Sequence, residues 1–305
     1  MPGDDDIRMK VTVRVANFLK TFVPKRFRKE GVEIPVVRLS GAIMASGGIG
    51  RQTLSVASVA PLLERAFAHK SAPAVAIVVN SPGGSPVQSR LIHKRIRDLA
   101  HQKKKRVLVF VEDVAASGGY MIACAGDEIM VDPSSIVGSI GVVSGSFGFV
   151  EAIGKLGIER RVHTAGKNKV TLDPFQPEKP EDVERLKALQ LDVHQTFIDL
   201  VCERRGGKLA ENDDLFTGLF WSGRQGVELG LVDRIGDLHG TLRELYGDKV
   251  RTKLVAAKTG LLGRVRPGIG LAGEGADLGT SIGAGAVSQA GSILEERALF
   301  ARYGL

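Results

Sequence analysis

Two short stretches of the sequence contain residues that could form a nucleophile and an oxyanion site. Ser117 stands between alanines and a glycine pair in "VAASGGY", where the strand-like run "RVLVFVE" gives way to an apolar helix. Gly83 and Gly84 of "NSPGG" follow the preceding strand-like run, "AVAIVVN". Loops at the carboxyl ends of parallel strands lie side by side. The backbone N–H groups of these glycines and of Gly118 could therefore stabilise an oxyanion beside a serine hydroxyl, as acyl transfer requires.

The same residues have a structural explanation, and a serine nucleophile also needs a base. Serine is a good helix N-cap, and glycines allow a strand and a helix to pack closely. Among the histidines, His93 and His101 lie on a predicted helix and are expected to be solvated. His163, at the end of the strand-like run "RRVHT", remains a candidate base. The loop "TAGKNKVTLDPF" offers Lys167 and Lys169 instead, although most lysines are solvated.

Metal and cofactor chemistry have no support in the sequence. The six histidines and two cysteines show none of the spacings that are typical of metal ligands or a disulfide framework. We therefore predict neither a metal site nor a cofactor.

The elements around these residues predict an α/β fold. We expect strands at residues 32–41, 74–80, 106–112 and 128–132, and helices at residues 58–69, 87–102 and 181–205. The Gly/Ser-rich segment 134–150 predicts a loop with a short strand. A helix between two apolar strands is a βαβ unit, which requires parallel pairing.

Composition divides the chain into three predicted segments. Residues 1–31 form a basic leader, residues 32–250 the folded domain, and residues 251–305 a glycine-rich linker and C-terminal tail. Within that tail, periodicity is lost over residues 258–285 and returns in a possible last helix at residues 286–302.

The leader carries much of the charge. Residues 1–30 contain eight Lys/Arg against four acidic residues, in a chain of net charge +8. Apolar residues at helical spacing beside this cluster favour an interfacial helix on an anionic membrane, while "VTVRV" is equally compatible with a strand. Nucleic acid is not expected as a partner, because few aromatic residues accompany the charge. With no apolar run of about 18 residues and no signal-like start, we expect a cytoplasmic protein, with peripheral contact to the inner face of the cell membrane as one option.

Several motifs occur in a fixed order that resembles peptidase family S49, the signal peptide peptidase A and protease IV family, in its single-length form. They are "VNSPGG", "ASGGYMIACAGDEI", "GSIGV", a "GKNK" loop followed by a proline-phenylalanine pair, and "GLVDRIG". The resemblance covers residues 32–250. It implies a crotonase/Clp-protease-like fold with parallel sheets built from ββα-type units, and a ring-shaped or dome-shaped homo-oligomer.

The same resemblance implies roles for individual residues. Ser117 is the nucleophile, Lys169 and not Lys167 is the base, and Ser139 orients the lysine amine. Together with Gly83 and Gly84 as oxyanion donors, these residues imply a Ser-Lys dyad that hydrolyses peptide bonds through an acyl-enzyme. A lysine can act as a base only if burial lowers its pKa.

The expected substrate is an apolar or signal-peptide-like peptide or protein. Two departures from the family pattern bear on this expectation. We expect no N-terminal membrane anchor, which many family members carry, and the loop after the lysine reads "KVTLDPFQP". Two alternatives remain. One is a crotonase-type acyl-CoA hydratase or hydrolase that uses Glu112 and Asp113 as acid and base, and the other is a non-catalytic pseudoprotease scaffold.

Overall fold

A computed structural model describes residues 31–45, 53–256 and 298–304 of the chain. The fold is α/β, with one largely parallel sheet, which confirms the predicted class. The strands of this part of the chain are β1 (Glu33–Ser40), β2 (Ala74–Ser81), β3 (Arg106–Ala116), β4 (Glu128–Val131), β5 (Ile136–Gly138), β6 (Phe220–Ser222), β7 (Arg234–Ile235) and β8 (Arg251–Leu254). Its helices are α1 (Val56–Phe67), α2 (Pro86–Lys103), α3 (Gly118–Ala123), α4 (Val150–Lys155), α5 (Pro180–Arg205), α6 (Gly223–Glu228) and α7 (Leu238–Tyr246), with a 3₁₀ turn at Gly206–Lys208.

The sheet divides along its third strand. The strand order is β6-β5-β3-β2-β1-β8, and β4 pairs with both β3 and β7. Residues 108–111 of β3 pair with β4, whereas residues 114–116 pair with β5, and both pairings are parallel. Because β3 and β5 end side by side, Ser117 and Ser139, which directly follow their last residues, lie at the same edge of the sheet.

A bulge in β3 directs the chain toward this edge. Val79 of β2 faces Val111, but Ser81 faces Ala115, so β3 advances four positions while β2 advances two. Such a bulge increases the local twist and re-aims the end of a strand. The residue reached after the bulged end of β3 is Ser117.

The core explains the apolar strand runs. Residues 74–79 of β2 are all buried, because hydrophobic clusters cover both faces of the sheet. Helices α1, α2 and α3 contribute Leu63, Ile92 and Tyr120 to the larger cluster, and α7 contributes Leu242 to the cluster on the opposite face. The site therefore lies at the edge of a rigid, closely packed sheet.

Helix α2 corrects one prediction. It spans nearly the expected residues, and Val87 near its start is 63% exposed although other apolar residues follow it at helical spacing. His93 was expected to be solvated and is instead buried against α3, where loss of solvation lowers its pKa to about 4. The expectation was wrong because polar neighbours along the helix do not reveal which face another element covers.

Exposed apolar side chains are frequent between β5 and the middle of α5. Helix α4 has no buried residue, and the N-terminal half of α5 exposes Leu189 and Leu191. Between β5 and α5, the exposed apolar side chains include Val143, Phe147, Phe149, Leu156 and Ile158. Within this segment residues 160–164 form no strand, contrary to the interpretation of "RRVHT".

The boundaries of the three predicted segments can be compared with the described residues. Strand β8 lies beyond residue 250, where the sequence places the end of the domain, and pairs in parallel with β1. The predicted leader, apart from Gly31, lies outside the described residues. The predicted linker at residues 258–285 also lies outside them. In the last predicted helix, residues 298–301 are described and are helical. Among the helices described, none combines the length and apolarity needed to cross a membrane.

Candidate active site

Ser117 occupies a strained turn between β3 and α3. Its φ of 51° and ψ of −122° lie where side chains other than glycine are seldom found. Although Ser117 is at the N-cap position, its side chain makes no capping hydrogen bond. The simple explanation of the serine as a helix cap is therefore wrong. The turn instead has the geometry of a nucleophile elbow, in which a sharp strand-to-helix turn exposes a hydroxyl.

The "SPGG" loop packs directly against this turn. Gly83 has a φ of +102°, and a Cβ there would lie 2.8 Å from the Ser117 Cβ and 2.9 Å from the Gly118 nitrogen. A Cβ on Gly118 would in turn lie 2.2 Å from Ser89 Oγ. Gly83 is required because the backbone of the Ser117 turn approaches it closely, and Gly118 because the Ser89 side chain of α2 packs against it. As predicted, the two glycine loops lie side by side.

The backbone amides at this contact differ in their availability. Gly118 begins α3, so its N–H has no acceptor within the helix. The Gly83 N–H donates to Ser81 Oγ at 3.2 Å, whereas Gly84 lines the cavity beside Ser117, and its N–H has no recorded acceptor among the described residues. This geometry favours Gly84 and Gly118 as oxyanion donors, with Gly83 as the residue that shapes the turn.

A cavity of about 480 Å³ opens in front of the serine. This is within the usual range for ligand pockets, about 300–1,000 Å³. Ser117, Ser139 and Thr217 contribute its hydroxyl groups. Its apolar lining includes Met121, Val142, Val143, Val193 and Phe197. The cavity can therefore hold an apolar chain next to the Ser117 hydroxyl.

Ser139 is a second strained serine in the same cavity. Its φ is 53°, and its N–H donates to the Leu219 carbonyl oxygen at 2.7 Å, which fixes the turn after β5. The side chain is buried, and Ser139 Oγ accepts a hydrogen bond of 3.2 Å from the Tyr303 hydroxyl. The structure thus brings Ser139 to the site, with its hydroxyl already engaged by the C-terminal residues.

The candidate bases do not reach the cavity in this single chain. Lys167 and Lys169 are both exposed in the loop between α4 and α5, and His163 is exposed as well. No lysine or histidine of residues 31–45, 53–256 or 298–304 lines the cavity. Sequence reasoning missed His194 of α5, whose Nε2 lies 3.0 Å from the Ile140 carbonyl oxygen, next to Ser139. No sequence motif marks His194, because only the packing of α5 brings it to this position.

The carboxylates required by the acyl-CoA alternative are engaged elsewhere. Glu112 forms an ion pair with Arg38, and Asp113 accepts a 2.6 Å hydrogen bond from Asn80 Nδ2. No carboxylate of the described residues lines the cavity. The geometry gives this alternative no acid or base.

The "GLVDRIG" motif braces the sheet and does not line the cavity. Asp233 accepts hydrogen bonds from Arg205 at 2.8 Å and from Lys208 at 2.6 Å. Burial by itself would raise the pKa of Asp233, but these cations and the Ile129 N–H outweigh it and hold that pKa below its usual range. The motif therefore ties the end of α5 to β4.

A strained serine between a strand and a helix, with free backbone amides beside it, is an arrangement typical of hydrolases that attack acyl groups. The profile of peptidase family S49 matches residues 99–250. A putative protease of Synechocystis is 30% identical over 206 residues, which cover 66% of this chain and 74% of that protein. A putative protease of Methanocaldococcus jannaschii is 35% identical over 184 residues, which cover 60% of this chain and 58% of that protein.

A third relative is much longer than this chain. The Na(+)/H(+) antiporter NhaA of Brucella abortus is 62% identical over 301 residues, which cover 98% of this chain but 40% of that protein. The chain therefore spans about two fifths of that relative's length. The match to the family profile and the similarity to the two putative proteases show that this chain belongs to peptidase family S49. The mainly parallel sheet agrees with the crotonase/Clp-protease-like fold that the motifs implied.

Proposed function

We propose that the protein is a serine endopeptidase in which Ser117 attacks the peptide carbonyl. The observation that carries this proposal is the strained turn at Ser117, a residue whose hydroxyl caps no helix and which lines the cavity. Strain of this kind persists only where the surrounding structure holds it, and it is concentrated at functional sites. Membership of a peptidase family supports the same reaction.

The chemistry follows from the groups around Ser117. A neutral lysine amine takes the hydroxyl proton as the serine oxygen attacks the carbonyl carbon. The Gly84 and Gly118 N–H groups stabilise the oxyanion of the tetrahedral intermediate. The protonated amine then gives its proton to the leaving amine, and water hydrolyses the acyl-enzyme by the reverse sequence. We assign the base to Lys169, with Ser139 as the hydroxyl that orients its amine.

The assembly that delivers Lys169 is part of this proposal. The lysine loop is exposed in the single chain, as are the apolar side chains of the segment between β5 and α5, with Phe147 80% exposed. Exposed apolar side chains that are this frequent in one segment favour an interaction site there. We propose a homo-oligomer in which this surface is buried and a Lys169 amine enters the cavity. Burial of an amine disfavours its charged form, and catalysis needs the neutral amine.

The substrate class follows from the cavity. Its walls are formed mainly by apolar side chains such as Met121, Val142 and Phe197. An extended peptide with apolar side chains buries the most area there, so we propose apolar or signal-peptide-like peptides as substrates.

We also propose that the basic leader makes peripheral contact with anionic membranes. A flotation assay comparing the full chain with a chain starting at Val32 on anionic vesicles tests it.

Peptide hydrolysis by the full chain and four variants tests the assignment of residues. Ser117→Ala and Lys169→Ala should each abolish hydrolysis. Lys167→Ala, a lysine from the same exposed loop, is the matched control and should retain most of the activity, as should His194→Ala. Equal losses from both lysine variants, or a Ser117→Ala protein that cleaves at the parent's rate, would refute the dyad.

Mixing experiments test where the lysine comes from. Inactive Ser117→Ala chains should regain activity when mixed with inactive Lys169→Ala chains, because a mixed oligomer then contains one complete site. Light scattering on the parent should show an oligomer. A monomer of 32.5 kDa that is fully active would contradict the proposed assembly.

A further inference from the structure

Residues 298–304 pack beside the cavity in front of Ser117 and form part of its wall. Residues 298–301 are helical, and Leu299 and Arg302 line the cavity together with Ser117 and Ser139. Tyr303 of the same segment is only 8% exposed, so specific contacts hold it in place.

The Tyr303 ring occupies an apolar pocket formed by the strands that carry the two site serines. Val114 and Ala116 of β3 and Ile136 of β5 pack against it, with Phe300 of its own segment. The Phe220 ring of β6 meets it edge to face at 5.1 Å between centroids. Edge-to-face aromatic contacts add to the stabilisation from buried area. A side-chain pocket thus lies directly behind the ends of β3 and β5.

The phenol group of Tyr303 reaches a residue of the proposed mechanism. Its hydroxyl lies 3.2 Å from Ser139 Oγ, and this hydrogen bond is buried. Ser139 is the hydroxyl that we assign to orient the base. While the phenol fills the space in front of Ser139 Oγ, a lysine amine cannot occupy the same position. Leu299 and Arg302 of the same segment form part of the cavity wall, so the seated segment narrows the space that is open to a substrate peptide.

We propose that residues 298–304 are an intramolecular inhibitor of this site, held by Tyr303 in its pocket and displaced when a substrate peptide and Lys169 enter. The inhibitory effect rests on the proposed peptidase function, whereas the binding of the segment does not. An intramolecular competitor reduces the fraction of molecules that can accept substrate. The seated segment therefore raises KM and leaves kcat unchanged.

A binding measurement tests the docking without any catalysis. The probe is a fluorescein-labelled peptide with the sequence of residues 298–305, ALFARYGL, titrated into full-length Ser117→Ala and Ser117→Ala/Tyr303→Ala proteins. The double variant has lost its own tyrosine, so its pocket should take up the peptide at least tenfold more tightly than the single variant does. A control peptide, ALFARAGL, should bind neither protein. Equal affinity of the probe for both proteins, or no binding to the double variant, overturns the proposal.

Kinetics test the inhibition. Tyr303→Ala should lower KM for a peptide substrate and leave kcat unchanged. Tyr303→Phe keeps the ring but loses the hydrogen bond to Ser139, which should shift the closed-to-open ratio by about 2- to 12-fold. Tyr246→Phe, on α7 at the opposite face of the sheet, is the matched control and should leave KM unchanged.

The outcomes separate this proposal from the proposed function. A merely structural tyrosine would lower kcat or the melting temperature when replaced, with no decrease in KM, and that result overturns the inhibition. If no variant shows Ser117-dependent hydrolysis, the peptidase assignment fails, and the peptide titration still decides whether the segment binds the pocket.

Discussion

Glycine at position 117 should make the protein more stable and inactive. The φ of 51° and ψ of −122° at Ser117 suit glycine and strain every residue with a Cβ. Ser117→Gly removes the nucleophile and the strain together, whereas Ser117→Ala removes the nucleophile and keeps the strain. Comparing the two variants isolates the strain, because both lack the hydroxyl.

The expected difference follows from two opposing terms. A sparsely populated backbone conformation costs about 1–3 kcal/mol. Glycine has more freedom in the unfolded chain, which costs the folded state about 0.4–1 kcal/mol relative to alanine. The free energy of unfolding of the Ser117→Gly variant should therefore be about 1 kcal/mol higher than that of the Ser117→Ala variant. For a domain of this size, that corresponds to a melting temperature about 2–4 °C higher.

Thermal denaturation followed by circular dichroism measures this difference, and peptide hydrolysis confirms that both variants are inactive. Ser134, which is exposed and has no positive φ, provides the control pair. There the order should reverse, with Ser134→Gly less stable than Ser134→Ala. If Ser117→Gly melts below Ser117→Ala, the turn stores no strain and the argument for a held nucleophile is refuted.

Three further predictions concern the surroundings of the site. Gly83→Ala places a Cβ 2.8 Å from the nucleophile's Cβ at a φ of +102°, and the resulting displacement should lower kcat on the order of a hundredfold in steady-state assays. Burial lowers the pKa of His93 to about 4, below its usual 6.5, so the free energy of unfolding should decrease by about 3 kcal/mol as the pH falls from 6.5 to 4. In the His93→Leu variant, the melting temperature should depend less on pH over this range. Arg205→Met leaves the Asp233 carboxylate without its buried partner and should cost about 3 kcal/mol in urea unfolding, whereas Arg95→Met, from an exposed pair, should cost about 1 kcal/mol or less.

The first strands and the parallel pairing of β2 with β3 could be predicted because their signals are local. The continuous apolar run of β2 indicates a strand buried on both faces, and the structure buries residues 74–79. Gly206, directly after the last periodic residue of α5, predicts the end of that helix, and the helix ends at Arg205. The predicted contact between "SPGG" and "ASGG" followed from the parallel arrangement of two neighbouring strands.

Burial on the helices was harder to predict, because a helix has several candidate faces. Val87 is exposed although it continues the apolar stripe of α2, and His93 is buried although its neighbours in sequence are polar. Which face is covered depends on α3, which packs against α2 from a separate part of the chain. Exposure of Leu189 on α5 has the same origin, since its helical spacing does not reveal which face of that helix the described residues cover.

The sequence by itself determined the class of fold, the two glycine loops and the candidate nucleophile, because glycine, β-branched runs and strand-to-helix turns act over a few residues. Only the tertiary structure decided how these groups are used. It showed that the Ser117 hydroxyl caps no helix, that Gly84 and not Gly83 faces the cavity, and that Tyr303 meets Ser139. These contacts join residues separated by up to 164 positions in the chain. Local propensities do not encode contacts of this kind, because they arise when the sheet divides at β3 and brings distant segments to one edge.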